Sequence, residues 1–175
     1  MNEQAIWKLV EEGGVSALTI ERLADATGQS PLDLHRLYPD PAFMIVALAE
    51  ELHQKAMETL PDSELSPFDR LTDLVMTHFD ISLPYRESIR RLWEDLVTTP
   101  SALLILRPHL MKIVSHILQA VGMDERDAWA PFRVRAYFAL FIYVFYTWLY
   151  DESTQQEQTL ACLDNGLKKL GDLPW

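Results

Sequence analysis

The sequence predicts an all-α protein of about nine helices, and three observations lead to that prediction. Apolar residues recur at intervals of three and four along most of the chain, which is the spacing of one face of an α-helix. Prolines and glycines separate these periodic segments. No segment shows the alternation of apolar and polar residues that is typical of a half-buried strand.

The first part of the chain predicts three short helices. Residues 5–12 have their apolar side chains on one face, and the two glycines that follow end this helix. Thr19 can cap a second helix, and Gly28 can adopt the positive φ that a sharp turn after it requires. Ser30 followed by Pro31 is typical of a helix start. Two short helices joined by a tight turn form a helix-turn-helix.

The rest of the chain predicts a helical body. A longer helix over residues 42–57 connects the two parts, so we expect a helix-turn-helix head over residues 1–52 and a ligand-binding and dimerisation body over residues 53–175. A linker at residues 60–67 precedes the remaining helices. Prolines, glycines and apolar stripes place these helices at residues 67–82, 85–97, 101–121, 124–150 and 154–170.

Composition limits the class of protein. The chain has 175 residues, 49% of them hydrophobic, which is enough to bury a substantial core. Its single cysteine, Cys162, excludes an internal disulfide and is typical of a reducing compartment. The start of the chain is acidic where a signal peptide would be basic, so we expect a cytoplasmic protein.

The longest uncharged segment, residues 136–150, is rich in aromatic side chains. At 15 residues it is shorter than a bilayer span, which takes roughly 20 apolar residues. We therefore expect no stable membrane insertion. We interpret the segment as a helix that is buried on nearly every side.

The stretch from Thr19 to Pro41 resembles the helix-turn-helix domain of TetR-family transcriptional regulators. The positions that match this family's pattern are Thr19, Ala24, Gly28, Ser30 and Leu34, with Leu23 in place of Ile and Tyr38 in place of Phe. The resemblance implies a DNA-binding head, and a body that holds a small apolar effector and forms a homodimer.

By this resemblance, DNA contacts come from the second and third helices. The candidate residues are Thr19, Arg22, Gln29, Ser30, Leu32, Asp33, His35 and Arg36. A dimer of this kind places two recognition helices in successive major grooves of duplex DNA, about one helical turn apart. Asp33 and Pro31 stand where the family often has Thr, Gly or Lys.

The acidity of the head is unusual for a DNA-binding domain. Residues 1–52 contain three basic and nine acidic residues, a net charge of −6, and the whole chain carries −11. Duplex binding depends largely on Lys and Arg side chains that displace counterions from phosphates. A head with so few basic residues can neutralise few phosphates, so its composition weighs against DNA as a partner.

The resemblance implies that residues 126–170 pair across a two-fold axis, which suits helices rich in leucine and aromatic residues. Aromatic side chains of the body are also candidates for the wall of an apolar effector pocket. These candidates are Phe79, Tyr85, Trp93, Tyr137, Phe141, Phe145 and Trp148. Core packing is the simpler interpretation for most of them.

A second interpretation is a protein of the same fold that has lost DNA binding. The chain is loosely similar to the TetR-fold accessory proteins of ubiquinone biosynthesis, at residues 37–39, 84–91 and 149–151. That resemblance implies an isoprenoid-type lipid in the body and a role as a partner protein. The acidic head favours this alternative.

No pattern indicates an enzyme. The sequence lacks G-x-S-x-G, H-E-x-x-H and a glycine-rich phosphate loop. His109 and His116 are seven residues apart, whereas metal-binding histidines on a helix are usually four apart. We therefore expect no catalytic residues, no cofactor and no metal.

Overall fold

The computed structural model describes residues 2–123 and 129–171, and all regular structure within these ranges is helical. Its α-helices are α1 (Asn2–Gly13), α2 (Ile20–Thr27), α3 (Pro31–Leu37), α4 (Pro41–Met57), α5 (Pro67–Ser82), α6 (Arg86–Val97), α7 (Pro100–Ala120), α8 (Ala130–Leu149) and α9 (Glu157–Gly171). Short 3-10 turns lie at Gly14–Ala17, Leu83–Tyr85 and Thr154–Gln156. The predicted all-α fold is confirmed.

The helices α4 to α7 begin and end within one residue of the predicted positions, because proline or glycine lies near most of their ends. The helices α2 and α3 begin as predicted, directly after Thr19 and at Pro31. Gly122 follows α7 with a φ of 79°, in the left-handed region that favours glycine. Residues 124–128, the predicted start of the next helix, lie outside the described residues. The predicted start of the last helix at residue 154 is a 3-10 turn, and α9 itself begins at Glu157.

The chain divides into two compact units, of residues 1–54 with 83–109 and of residues 55–82 with 110–175. The first unit therefore combines the predicted head with α6 and the first half of α7. Its core contains the fully buried side chains of Ile6, Val10, Leu23, Leu34 and Met44. Trp7 of α1 stacks on Tyr85, with 4.4 Å between ring centroids.

In the second unit, α8 and α9 pack against each other, and α5 packs against α9. Val144 and Trp148 of α8 are fully buried, as is Leu163 of α9. Phe79 of α5 stacks on Trp148, with 5.2 Å between ring centroids. These contacts form a core that is continuous across the three helices.

Asp151 organises the turn between α8 and α9. Its buried carboxylate accepts hydrogen bonds from the backbone N–H and hydroxyl of Ser153 and from those of Thr159. Burial alone would raise the pKa of Asp151, but these hydrogen bonds outweigh burial and lower the pKa to about 2. Asp151 is therefore ionised at neutral pH and caps the first turn of α9.

The prediction that residues 136–150 are buried on nearly every side was wrong. Along one line of α8, the side chains of Phe132, Tyr143 and Tyr146 are exposed, as is that of Tyr150 directly after the helix, and Tyr143 reaches 64% exposure. We call these four residues the aromatic stripe. Among residues 2–123 and 129–171, no element buries these four side chains.

Residues 101–120 of α7 form a helix that is long and apolar enough to cross a membrane by length and composition. The core helices of soluble proteins pass the same test. This helix by itself therefore identifies no membrane segment.

Candidate functional site

The predicted helix-turn-helix is present, and local residues explain its geometry. The Thr19 hydroxyl accepts a hydrogen bond from the backbone N–H of Arg22 at 3.3 Å, which caps α2. Gly28 has a φ of 68°, and its N–H donates to the carbonyl of Ala24 at 2.8 Å. The proline at residue 31 begins α3, although the Ser30 hydroxyl forms no capping hydrogen bond.

One side of α3 anchors it, and the remainder is exposed. Leu34 is fully buried, and Tyr38 is buried directly after the helix. The exposed residues of α3 are Pro31, Leu32, Asp33, His35, Arg36 and Leu37. Most of the predicted DNA-binding residues are therefore exposed, and only Thr19 and Gln29 of that set are half-buried.

Both arginines of the predicted interface have acidic neighbours. The Arg22 guanidinium lies 2.6 Å from the carboxylate of Glu12, and the Arg36 guanidinium lies 3.5 Å from that of Asp33. Exposed ion pairs of this kind contribute roughly 0 to 1 kcal/mol. Replacement of the carboxylate partner by a phosphate therefore costs little free energy.

Gln29 holds the turn to the start of α1. Its side-chain N–H donates to the side-chain Oδ1 of Asn2 at 2.5 Å, and the Asn2 side-chain N–H donates to the hydroxyl of Tyr38 at 3.5 Å. Gln29 therefore has a positioning role within the head. The sequence analysis missed Asn2, because 27 residues separate it from Gln29 and no local pattern connects them.

The segment that leads into α2 is fixed by α6. The Asp95 carboxylate accepts a hydrogen bond from the backbone N–H of Val15 at 2.8 Å. Gly14 has a φ of 63°, and a Cβ at this position would collide with the Asp95 carboxylate. Arg91 donates to the carbonyl of Glu11 at 3.4 Å. A movement of α6 would therefore act directly on the start of the helix-turn-helix.

The structure brings together some of the predicted pocket residues. Phe79 and Phe145 both contact Trp148, with 5.2 and 5.9 Å between ring centroids, and Tyr137 lies 6.2 Å from Phe141. The Trp148 indole N–H is buried and has no hydrogen-bond partner among the described residues. Tyr85 and Trp93 belong instead to the first unit, where Tyr85 stacks on Trp7.

Burial favours the neutral forms of two titratable side chains in this part of the second unit, His78 and Tyr137. Burial lowers the pKa of His78, and a hydrogen bond to the carbonyl of Leu74 only partly offsets this effect. Burial raises the pKa of Tyr137, against the opposing effect of nearby Arg133. The guanidinium of Arg133 is also buried here and stays charged, so aromatic rings and neutral groups in this region lie beside a cation. Within residues 2–123 and 129–171, no three His, Cys, Asp or Glu side chains form a group that could hold a metal ion.

No protein-family model matches the sequence, and no curated protein matches it. Solved structures match over nearly the whole chain. A TetR transcriptional regulator from Nitrosomonas europaea has a TM-score of 0.70 and 16% identity, with 98% of each chain covered. A TetR regulator from Rhodococcus has a TM-score of 0.62 and 16% identity, with 97% of each chain covered.

A TetR regulator from Streptomyces coelicolor has a TM-score of 0.64 and 16% identity, and the match covers 97% of this chain and 95% of that one. The protein therefore has the TetR fold, as the resemblance at residues 19–41 predicts. The alternative resemblance to ubiquinone-biosynthesis proteins gains no support from these structures.

Proposed function

We propose that the protein is a transcriptional regulator that binds duplex DNA with α3. One observation carries this proposal: Leu34 and Tyr38 anchor a helix-turn-helix whose α3 exposes the rest of its surface. The TetR fold over the whole chain supports it, because the similar structures are those of transcriptional regulators. We expect no enzymatic activity and a cytoplasmic location.

In this proposal, Arg22 and Arg36 bind phosphates after they release Glu12 and Asp33. The polar side chains of Ser30 and His35 are the candidates for contacts with base edges, and Thr19 is a candidate for a phosphate contact. Since the head has few cations, we expect weak non-specific binding and a shallow dependence of affinity on salt.

The aromatic stripe would form the centre of a homodimer interface over residues 126–170. It is exposed, it lies along one side of α8, and a two-fold axis would pair it with its own copy. An apolar effector near Phe79, Phe145 and Trp148 would favour one conformation of the dimer. Its effect on DNA affinity is limited by the difference between its affinities for the two conformations.

Fluorescence anisotropy with a mixed duplex at roughly 50 mM salt tests DNA binding directly, because electrostatic binding is strongest at low salt. We expect saturable binding to wild-type protein and a loss of about tenfold in affinity for Arg36→Gln, since one phosphate contact disappears. Arg107→Gln removes an exposed charge from α7. This matched control should bind like wild type.

Equal binding by Arg36→Gln and wild type would contradict the role of α3. Absence of binding to any duplex, with intact helical circular dichroism, would overturn the regulator proposal. Extraction of the purified protein with organic solvent would then test for an isoprenoid-type lipid.

A further inference from the structure

A polar groove lies between the end of α1 and the exposed side of α6, within the first unit. Its volume is about 400 Å³, which falls in the range of small-molecule sites. The residues that line it are Glu11, Glu87, Ser88, Arg90, Arg91 and Glu94. None of them belongs to the predicted DNA interface or to the aromatic candidates for the effector pocket.

Only some of the charged side chains that line the groove pair with one another. Arg90 lies 3.4 Å from the carboxylate of Glu87. Within the described part of the chain, the carboxylates of Glu11 and Glu94 form no ion pair or hydrogen bond. An uncompensated charge in a concave surface attracts a ligand of the opposite charge more strongly than the same charge on a flat surface would.

Ser88 gives the groove an uncharged group that can form a hydrogen bond. It is only 7% exposed, and it lines the groove. Its hydroxyl takes part in no hydrogen bond to the residues that the structure describes. The hydroxyl is therefore available for a hydrogen bond to a ligand in the groove.

We propose that this groove binds a small amphoteric molecule, of the size and charge of a basic amino acid. The guanidinium of Arg91 would bind its carboxylate, and the Ser88 hydroxyl would add a hydrogen bond. Two of the three acids of the lining, Glu11 and Glu94, would bind its ammonium groups. The lining carries three carboxylates against two guanidinium groups, so a ligand with one carboxylate and two ammonium groups complements it in charge.

The position of the groove gives such a ligand a route to the head. Arg91 donates to the Glu11 carbonyl and lies beside Gly14, where α6 also holds Val15 through Asp95. A ligand that holds Glu11 against Arg91 would stabilise one placement of the segment that leads into α2. Only this regulatory consequence depends on the proposed function, and binding itself does not.

L-lysine is the probe, and binding is measured without DNA by calorimetry and by NMR amide shifts. We expect saturable binding, with the largest shifts in residues 87–94. Two further probes each lack part of the ligand: 1,5-diaminopentane has no carboxylate, and hexanoate has no ammonium group. Each should bind at least about tenfold more weakly than lysine, since each lacks a charge-assisted contact.

Three variants locate the site. Arg91→Gln should weaken lysine binding about tenfold, and Ser88→Ala about threefold, because each removes a polar contact without adding bulk. Arg107→Gln removes a charge outside the groove and should leave the affinity unchanged. Ser88→Ala keeps the test decisive if Arg91→Gln fails to fold.

Three results would overturn the proposal. They are the absence of saturable lysine binding up to roughly 10 mM, equal affinity in the groove variants and wild type, and equal binding of 1,5-diaminopentane. A separate titration of lysine into the protein–DNA complex measures regulation. If the protein binds lysine but fails to bind DNA, the groove is confirmed as a lysine site and the regulator proposal is refuted.

Discussion

Gly14 and Gly28 have the same backbone conformation in different surroundings. Their φ values are 63° and 68°, but a Cβ at residue 28 would meet open space, whereas one at residue 14 would collide with Asp95. Gly28→Ala should therefore cost only the left-handed backbone penalty, about 1 to 2 kcal/mol. Gly14→Ala should cost more than Gly28→Ala, because the Asp95 hydrogen bond to Val15 is also broken.

Urea denaturation of both alanine variants measures this difference in the free energy of unfolding. In the double variant Gly14→Ala/Asp95→Ala, the collision disappears, so its effect should be smaller than the sum of the single effects. Equal destabilisation by Gly14→Ala and Gly28→Ala would contradict the close packing of α6 against the head.

Asp151 predicts a specific pH dependence of stability. Its pKa is lowered from an ordinary value of 3.8 to about 2 by its hydrogen bonds. A depressed pKa in the folded state stabilises the protein above the unfolded pKa, and this contribution is lost as pH falls from about 4 towards 2. Asp151→Asn should therefore lower the free energy of unfolding at pH 7 by on the order of 2 kcal/mol.

The measurement is urea denaturation at pH 7 and near pH 2.5. The difference between wild type and Asp151→Asn should shrink at the lower pH, because the carboxyl group of wild type is then being protonated. Glu152→Gln removes the same charge from an exposed neighbour and should have little effect at either pH. A constant difference at both pH values would show that the carboxylate charge is unimportant for the turn.

The exposed shape of the helix α3 suits DNA binding, but the negative charge on its surface does not. Asp33 lies on the exposed face and pairs with Arg36 at 3.5 Å. Asp33→Asn removes a negative charge from the surface that would meet phosphates and frees Arg36 at the same time. We expect DNA binding to tighten about threefold to tenfold at low salt.

Anisotropy with the same mixed duplex measures the effect. Glu64→Gln, in the linker before α5, lowers the net negative charge equally and serves as the control for a general charge effect. If both variants bind equally well, the head has no localised interface at α3.

The sequence predicts the elements better than it predicts their surroundings. Thr19, Gly28 and Pro31 act on their own neighbours in the chain, so their pattern was sufficient to place α2 and α3. The contact of Asp95 with Val15 spans 80 residues, and no local pattern indicates it. Aromatic composition predicted that residues 136–150 are buried on nearly every side, yet Tyr143 is exposed, because composition does not specify which faces neighbouring helices cover.

For the whole molecule, the aromatic stripe predicts the oligomeric state. Its four residues, with Leu160 of α9, leave large apolar side chains exposed on the second unit. Such surface is typical of an interface. We expect a homodimer at micromolar concentration in light scattering after gel filtration.

Tyr146→Glu should convert this dimer to a monomer, because a two-fold axis would bring two buried carboxylates into the same interface. Leu104→Glu is the control, since Leu104 is 75% exposed on α7, outside the proposed interface. It should remain a dimer. A monomeric wild type, or a dimer that survives Tyr146→Glu, would contradict the interface.

The same pair of variants connects assembly to DNA binding. Two heads on one dimer bind neighbouring half-sites together, so the second head binds at a high effective concentration. Monomeric Tyr146→Glu should therefore lose at least about tenfold in affinity for DNA, although its own heads are unchanged. An acidic head with two exposed arginines depends on this doubling more than a basic head would, because each head alone neutralises few phosphates. Equal DNA affinity in the monomer and the dimer would show that each head binds alone.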